Sequence, residues 1–112
     1  MILMNGMIKP NQFDCFQLEE LLMRMVKDLE DTREIYCGYS YVRTMRNILV
    51  GKEDAVIAPF FKGKPYYGIF ETLELVAVEK LMDRLVSRNQ LSIIYTARGK
   101  LYCTNDYYAC AI

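Results

Sequence analysis

A small α+β fold, mainly α, is predicted for this 112-residue chain by three observations. Apolar residues recur at helical spacing in two long stretches, Leu18, Leu21, Leu22, Met25, Val26 and Leu29, and later Val78, Leu81, Met82, Leu85 and Val86. The second stripe leads almost without a linker into two β-prone runs, Leu91 to Thr96 and Lys100 to Thr104. Between those runs lies Ala97-Arg98-Gly99, where Gly99 supplies the positive φ that a short hairpin loop needs. A helix that feeds directly into a hairpin is the second half of a winged helix-turn-helix with a C-terminal β-hairpin wing. A fold of that kind assigns no function by itself.

Taken in order, residues 1–12 carry no clear period and read as a leader that docks, frays or continues from an upstream domain, followed by a single domain over residues 13–112. Asp14 stands three before Gln17, a capping-box variant, so the first helix is expected from there to about Asp31. Gly38 breaks the pattern. Ser40 is expected to cap a second helix with Val42, Met45, Ile48 and Leu49 turned inward, and Gly51 to end it as a C′ residue. A short third helix is expected over Glu53 to Ala58, stopped by Pro59. The segment from Phe60 to Gly68 is rich in turn formers and sets Lys62 and Lys64 beside Tyr66 and Tyr67. Such a loop suits phosphate contact, and core aromatics at Phe60, Phe61 and Tyr66 fit it equally well. Within the hairpin, alternation puts Leu91 and Ile93 on one face to meet Leu101 and Cys103, with Tyr95 and Tyr102 near the exposed side. The tail from Asn105 to Ile112 reads either as a closing strand or as a partner-facing edge.

Composition narrows the function classes. Lysines and arginines number 14 and so do the acids, giving a formal charge of zero, yet the charges are unevenly placed. Phe13 to Glu34 holds seven acids against Arg24, Lys27 and Arg33, whereas Arg84 to Thr104 holds Arg84, Arg88, Arg98 and Lys100 with no acid. That asymmetry points to a polyanion-facing end or to two ordinary solvated faces. The chain has no histidine, which removes every Ser-His, Cys-His and HExxH arrangement. It also lacks a Gly-rich phosphate loop of the Walker type, so no enzymatic activity and no cofactor are expected. Cys15, Cys37, Cys103 and Cys110 form no CxxC pair and read as reduced thiols rather than metal ligands. No apolar run approaches the roughly 20 residues of a membrane span, and the expected location is cytoplasmic.

From Tyr67 to Leu91, the residues Tyr67-Gly68-Ile69, Leu73, Leu81, Leu85 and Leu91 are similar to the YGIG…L…L…L run of the RecQ C-terminal (RQC) winged-helix domain of RecQ-type DNA helicases. Phe13-Asp14 resembles that family's domain start. Gly38, Tyr41-Val42 and Ile48-Leu49-Val50-Gly51 resemble its G-x-x-Y-V…V-L-R-G segment. The resemblance implies a domain that binds duplex or forked DNA, with a wing that in several members separates the strands. The implied partners are DNA and a helicase motor domain or another partner protein, since the family's ATPase motifs and zinc module are absent here. The chain departs from the pattern at Val50, where the family has Arg, at Glu53-Asp54 and the apolar Ala55 to Ala58, and at Leu75-Val76-Ala77, where lysine is common. Each lost phosphate contact removes about 0.9 from the log-log salt slope, so weak binding is expected.

The expected DNA-binding residues are Lys52, Lys62 and Lys64 in the loops, Lys80 and Arg84 on the helix, and Arg98, Gly99 and Lys100 at the wing tip. Tyr95 is the nearest aromatic to the tip for stacking on an end base pair. A second reading is a protein-interaction or dimerisation winged helix without DNA binding, suggested by the zero net charge, the acidic first helix, the apolar Val76-Ala77 and the Tyr107-Tyr108 tail. A sequence-specific regulator is a weaker third reading: Arg84 and Arg88 suit guanine, but no Asn or Gln lies among the central outward positions of the helix. Spacing leaves open whether Lys80 and Arg84 face a groove or pair with Glu79 and Asp83 along their own helix.

Overall fold

The computed structural model describes residues 6–8, 15–36, 40–53 and 58–111. The elements follow the order β1 (Gly6–Ile8), α1 (Cys15–Tyr36), α2 (Val42–Leu49), α3 (Ala58–Phe61), β2 (Phe70–Leu73), α4 (Leu75–Ser87), β3 (Ser92–Thr96), β4 (Gly99–Cys103) and α5 (Asn105–Ala111). Helix dominates, as the apolar periodicity predicts. The expected Asp14 cap lies outside the described residues.

Helix α1 continues past Asp31, where the apolar stripe gives out, to Tyr36. Its one-sided burial explains the stability of its first half: Leu18, Leu22, Met25, Val26 and Leu29 are all buried. In the extension, the Thr32 hydroxyl donates to the carbonyls of Asp28 and Leu29, which keeps the side chain folded along the helix.

Helix α2 starts one residue later than expected. Its N-cap is Tyr41, whose side chain makes no capping bond. Ser40 is instead fully buried, and its carbonyl accepts the Tyr102 N–H at 3.1 Å, so the backbone there is committed to the hairpin. The far end follows the glycine rule. Gly51 sits at φ +70, its N–H donates to Ile48 O and the Lys52 N–H donates to Asn47 O, which is a complete Schellman motif. A Cβ on Gly51 would lie 3.0 Å from the Gly68 Cα, so the close approach of two loops adds to the requirement for glycine.

The third helix differs from expectation. Pro59 falls inside α3, not after it, because a proline in the first turn forfeits only an N–H that has no helical partner. Residues 54–57, most of the expected Glu53–Ala58 helix, lie outside the described set, and Glu53 itself is not helical.

Strand β2 pairs antiparallel with β1, so part of the expected leader contributes a strand. Glu74 is the N-cap of α4, which buries Ala77, Val78, Met82 and Leu85. Asn89, at φ +61, turns the chain from α4 toward β3, a left-handed position that asparagine tolerates better than most residues. The β3–β4 register opposes Ile93 to Tyr102, Ile94 to Leu101, Tyr95 to Lys100 and Thr96 to Gly99. Directly opposed residues share a face. Leu101 therefore meets Ile94, not Leu91 or Ile93, and the expected pairing is off by one residue. Tyr102 is fully buried where exposure was expected, while Tyr95 is 76% exposed. The tail is not the closing strand offered as one alternative: residues 105–111 form α5.

One core unites α1, α2, α4, the loop aromatics and the inner face of the hairpin, with Phe61, Tyr66, Phe70 and Tyr102 among its largest members. The radius of gyration, 13.2 Å, is that of a folded domain of about 100 residues. Among the described residues, no helix is long and apolar enough to cross a membrane.

Candidate nucleic-acid interface

A groove of about 510 Å³ opens where the start of α2, the start of α4 and the β3–β4 turn come together. Chain order explains the meeting. Helix α2 packs on α4, and the Tyr102 N–H to Ser40 O bond ties the hairpin to the residue before Tyr41. The turn is thereby laid against the first residues of both helices.

Three cations line the groove, Arg43 from α2 and Arg98 and Lys100 from the hairpin, against one carboxylate, Glu79. Neither N-cap, Tyr41 or Glu74, places a side-chain acceptor on its helix's first turn, and neither first turn contains an acid. The positive ends of two helix dipoles thus lie at the same groove. Its floor is partly apolar, with Leu75 and Val76 contributing, and Val76 is 45% exposed.

The cations differ in what they already hold. The Lys100 ammonium is 3.0 Å from Asp83 and 3.1 Å from Glu79. The bonds to Asp83 and then Glu79 raise its pKa above the ordinary lysine value. Tyr102 donates its hydroxyl to the same Asp83, and burial, followed by that bond, pushes its pKa up as well. Asp83 is thus the hub that fixes the hairpin on α4. The Arg98 guanidinium lies over the Tyr41 ring, 5.0 Å from its centre. Arg43 is exposed and makes no ion pair among the described residues.

Of the residues that the sequence singles out, the groove gathers Arg98, Gly99 and Lys100. Lys80 is exposed on α4 next to Glu79, without an ion pair among the described residues. Lys52 is exposed beyond the Schellman turn, and its carbonyl accepts the Tyr67 hydroxyl at 2.9 Å. The other three basic residues are engaged away from the groove. Lys62 pairs with Glu53 at 3.1 Å, and that bond raises its pKa. Lys64 approaches Asp28 to 3.7 Å, and Asp28 also accepts the Tyr66 hydroxyl at 2.6 Å. Arg84 reaches Glu19 on α1 at 3.5 Å, and Arg88 donates to both oxygens of the same carboxylate at 2.7 Å. The choice left open for Arg84 is therefore resolved by a third partner, across the helix packing. Tyr95 shares a hairpin face with Lys100 and borders a separate hollow beside Tyr108.

Among the groove residues, Arg43 and Thr44 escaped the sequence reading, and Tyr41 entered it only as part of the family resemblance, with no binding role. The helical spacing of Val42, Met45 and Ile48 already put Arg43 and Thr44 on the outward side of α2, but nothing in the sequence brings that side to the hairpin 55 residues later.

Compared with known proteins, the chain matches no protein-family model, no curated protein and no solved structure.

Proposed function

We propose that this chain is a winged-helix, RQC-like module that binds duplex or forked DNA through its sugar-phosphate backbone, as a non-catalytic domain working with a helicase motor. The observation that carries this reading is the groove in which the hairpin turn and the starts of α2 and α4 collect Arg43, Arg98 and Lys100. Arginine forks suit phosphate oxygens, and the dipole ends add to the attraction. Lys80 extends the basic surface along α4, and Lys52 extends it beyond α2. Lys62, Lys64 and Arg84 join only by leaving the carboxylates they already hold, Glu53, Asp28 and Glu19. The hairpin serves as the wing, with Tyr95 as an exposed ring beside it for stacking on an end base pair.

The test is fluorescence anisotropy of the chain against a forked duplex, a blunt duplex and a single strand across a salt series. Binding should be weak, favour the fork or duplex, and show a log-log salt slope of about −3, the value for about three phosphate contacts. No binding at low salt would remove the reading.

A second reading has its own observation: Val76 is exposed and Leu75 lines the groove, where a phosphate gains nothing from either. A protein partner would bury them. Absence of DNA binding combined with concentration-dependent sedimentation, abolished by Val76→Glu, would favour self-association.

A further inference from the structure

The β3–β4 turn is held by a closed set of bonds around the Thr96 hydroxyl. That hydroxyl donates its one proton to the Gly99 carbonyl at 3.0 Å and accepts the Arg98 N–H at 3.1 Å. The Tyr41 hydroxyl lies 3.1 Å from the same oxygen, within hydrogen-bond distance. The Tyr41 ring meanwhile lies under the Arg98 guanidinium, 5.0 Å away. One side chain therefore fixes both the backbone of the turn and the head group that the turn carries. Tyr41 is also the N-cap of the helix that bears Arg43.

We infer that Tyr41 is a positioning residue for nucleic-acid binding, holding Arg98 across the groove from Arg43 so that the two arginines bracket one backbone phosphate. The inference rests on the nucleic-acid reading above and adds to it a residue that touches no phosphate itself. Its physical basis is preorganisation. A guanidinium stacked on a ring keeps its in-plane N–H edges available for bidentate contact, and it loses less rotamer freedom on binding than a solvated one. Lys100 cannot substitute, because Asp83 and Glu79 already hold it. Arg43 and Arg98 are the groove cations with no carboxylate partner among the described residues.

The experiment uses the full chain with Tyr41→Leu, Tyr41→Phe, Arg98→Ala and the Tyr41→Leu/Arg98→Ala double variant. Two readouts are taken: the Arg98 side-chain NMR resonance in the free protein, and affinity for a blunt DNA duplex across a salt series. Tyr41→Leu should abolish the ring-current shift of Arg98 and weaken duplex binding about two- to fivefold. Tyr41→Phe, which keeps the ring and loses the hydroxyl, should retain most of the shift and fall between wild type and Tyr41→Leu. Arg98→Ala should lower the log-log salt slope by about one, and adding Tyr41→Leu to it should cost nothing more. An undiminished effect of Tyr41→Leu in the Arg98→Ala background would overturn the inference, because Tyr41 would then act on binding independently of Arg98. So would unchanged duplex binding by Tyr41→Leu alongside a lost Arg98 shift. Failure of the wild type to bind any duplex would instead remove the nucleic-acid reading, and this inference with it, whatever the Arg98 resonance shows.

Discussion

Asp83 accepts from two groups whose protonated forms it favours, the Tyr102 phenol and the Lys100 ammonium. Both have a folded-state pKa above the ordinary value. For a raised pKa, the stabilisation is complete while the unfolded group is also protonated and declines once the unfolded group begins to ionise. Their contribution to stability should therefore be flat below about pH 10 and be lost above it, with Tyr102 contributing up to about 1.4 kcal/mol per pH unit. Tyr102→Phe should give a shallower fall over the same range. Urea unfolding of the two proteins between about pH 8 and pH 11 checks this, and equal slopes would mean that the phenol is not coupled to folding. Tyr102 is also where strand alternation misleads most. Its hydroxyl permits a fully buried ring because a carboxylate on α4 stands ready to accept, and no strand pattern contains that information.

At the scale of elements, α5 depends on a residue far away in the chain. Glu30 of α1 accepts the Thr104 N–H at 2.7 Å and the Thr104 hydroxyl at 2.8 Å, and that hydroxyl oxygen in turn accepts the Tyr107 N–H at 3.2 Å. A seven-residue helix is too short to persist on its own propensity, so this cap holds it together with the bonds of Asn105 to Ser92 and to the Asn89 carbonyl. Glu30→Ala should destabilise the protein by about 1–3 kcal/mol and remove hydrogen-exchange protection from Tyr107 and Tyr108 before the rest. Protection lost evenly across the chain would contradict a local cap. The same contact explains why the tail was ambiguous in sequence. Helices α1 and α4, the α2 stop at Gly51 and the hairpin turn all announce themselves through local spacing or a glycine, whereas the Thr104 cap of α5 is itself held by a partner 74 residues upstream. Pro59 shows a different limit: its ring reads as a stop or as a first-turn residue according to where the helix begins, and the sequence around it does not mark that start.

Across the whole molecule, zero net charge resolves into an acidic helix that holds basic residues of another. Glu19, mostly buried, takes both Arg84 and Arg88 from α4. The groove stays basic because Arg43 and Arg98 have no such partner among the described residues. Glu19→Gln should therefore release two cations, steepening the log-log salt slope of DNA binding by about one to two, at a cost of about 1 kcal/mol in stability. Anisotropy and thermal unfolding on the same variant separate the two effects, and an unaltered salt slope would place Arg84 and Arg88 outside any DNA footprint. Half of the candidate site was legible beforehand, since a hairpin after a helix marks Arg98, Gly99 and Lys100. The other half, Tyr41 and Arg43, depends on how α2 packs on α4, a tertiary fact that charge counting does not contain.

The hairpin is gripped at both ends: Tyr41 holds the turn, while Asp83 and Glu30 hold the strands and the residue that follows them. Mechanically it is a braced strut rather than a cantilever. A push on Arg98 is carried into α2, and a pull on the far end is carried into α1, so neither load is spent bending the two strands. Displacing the hairpin therefore means breaking bonds to three separate helices at once.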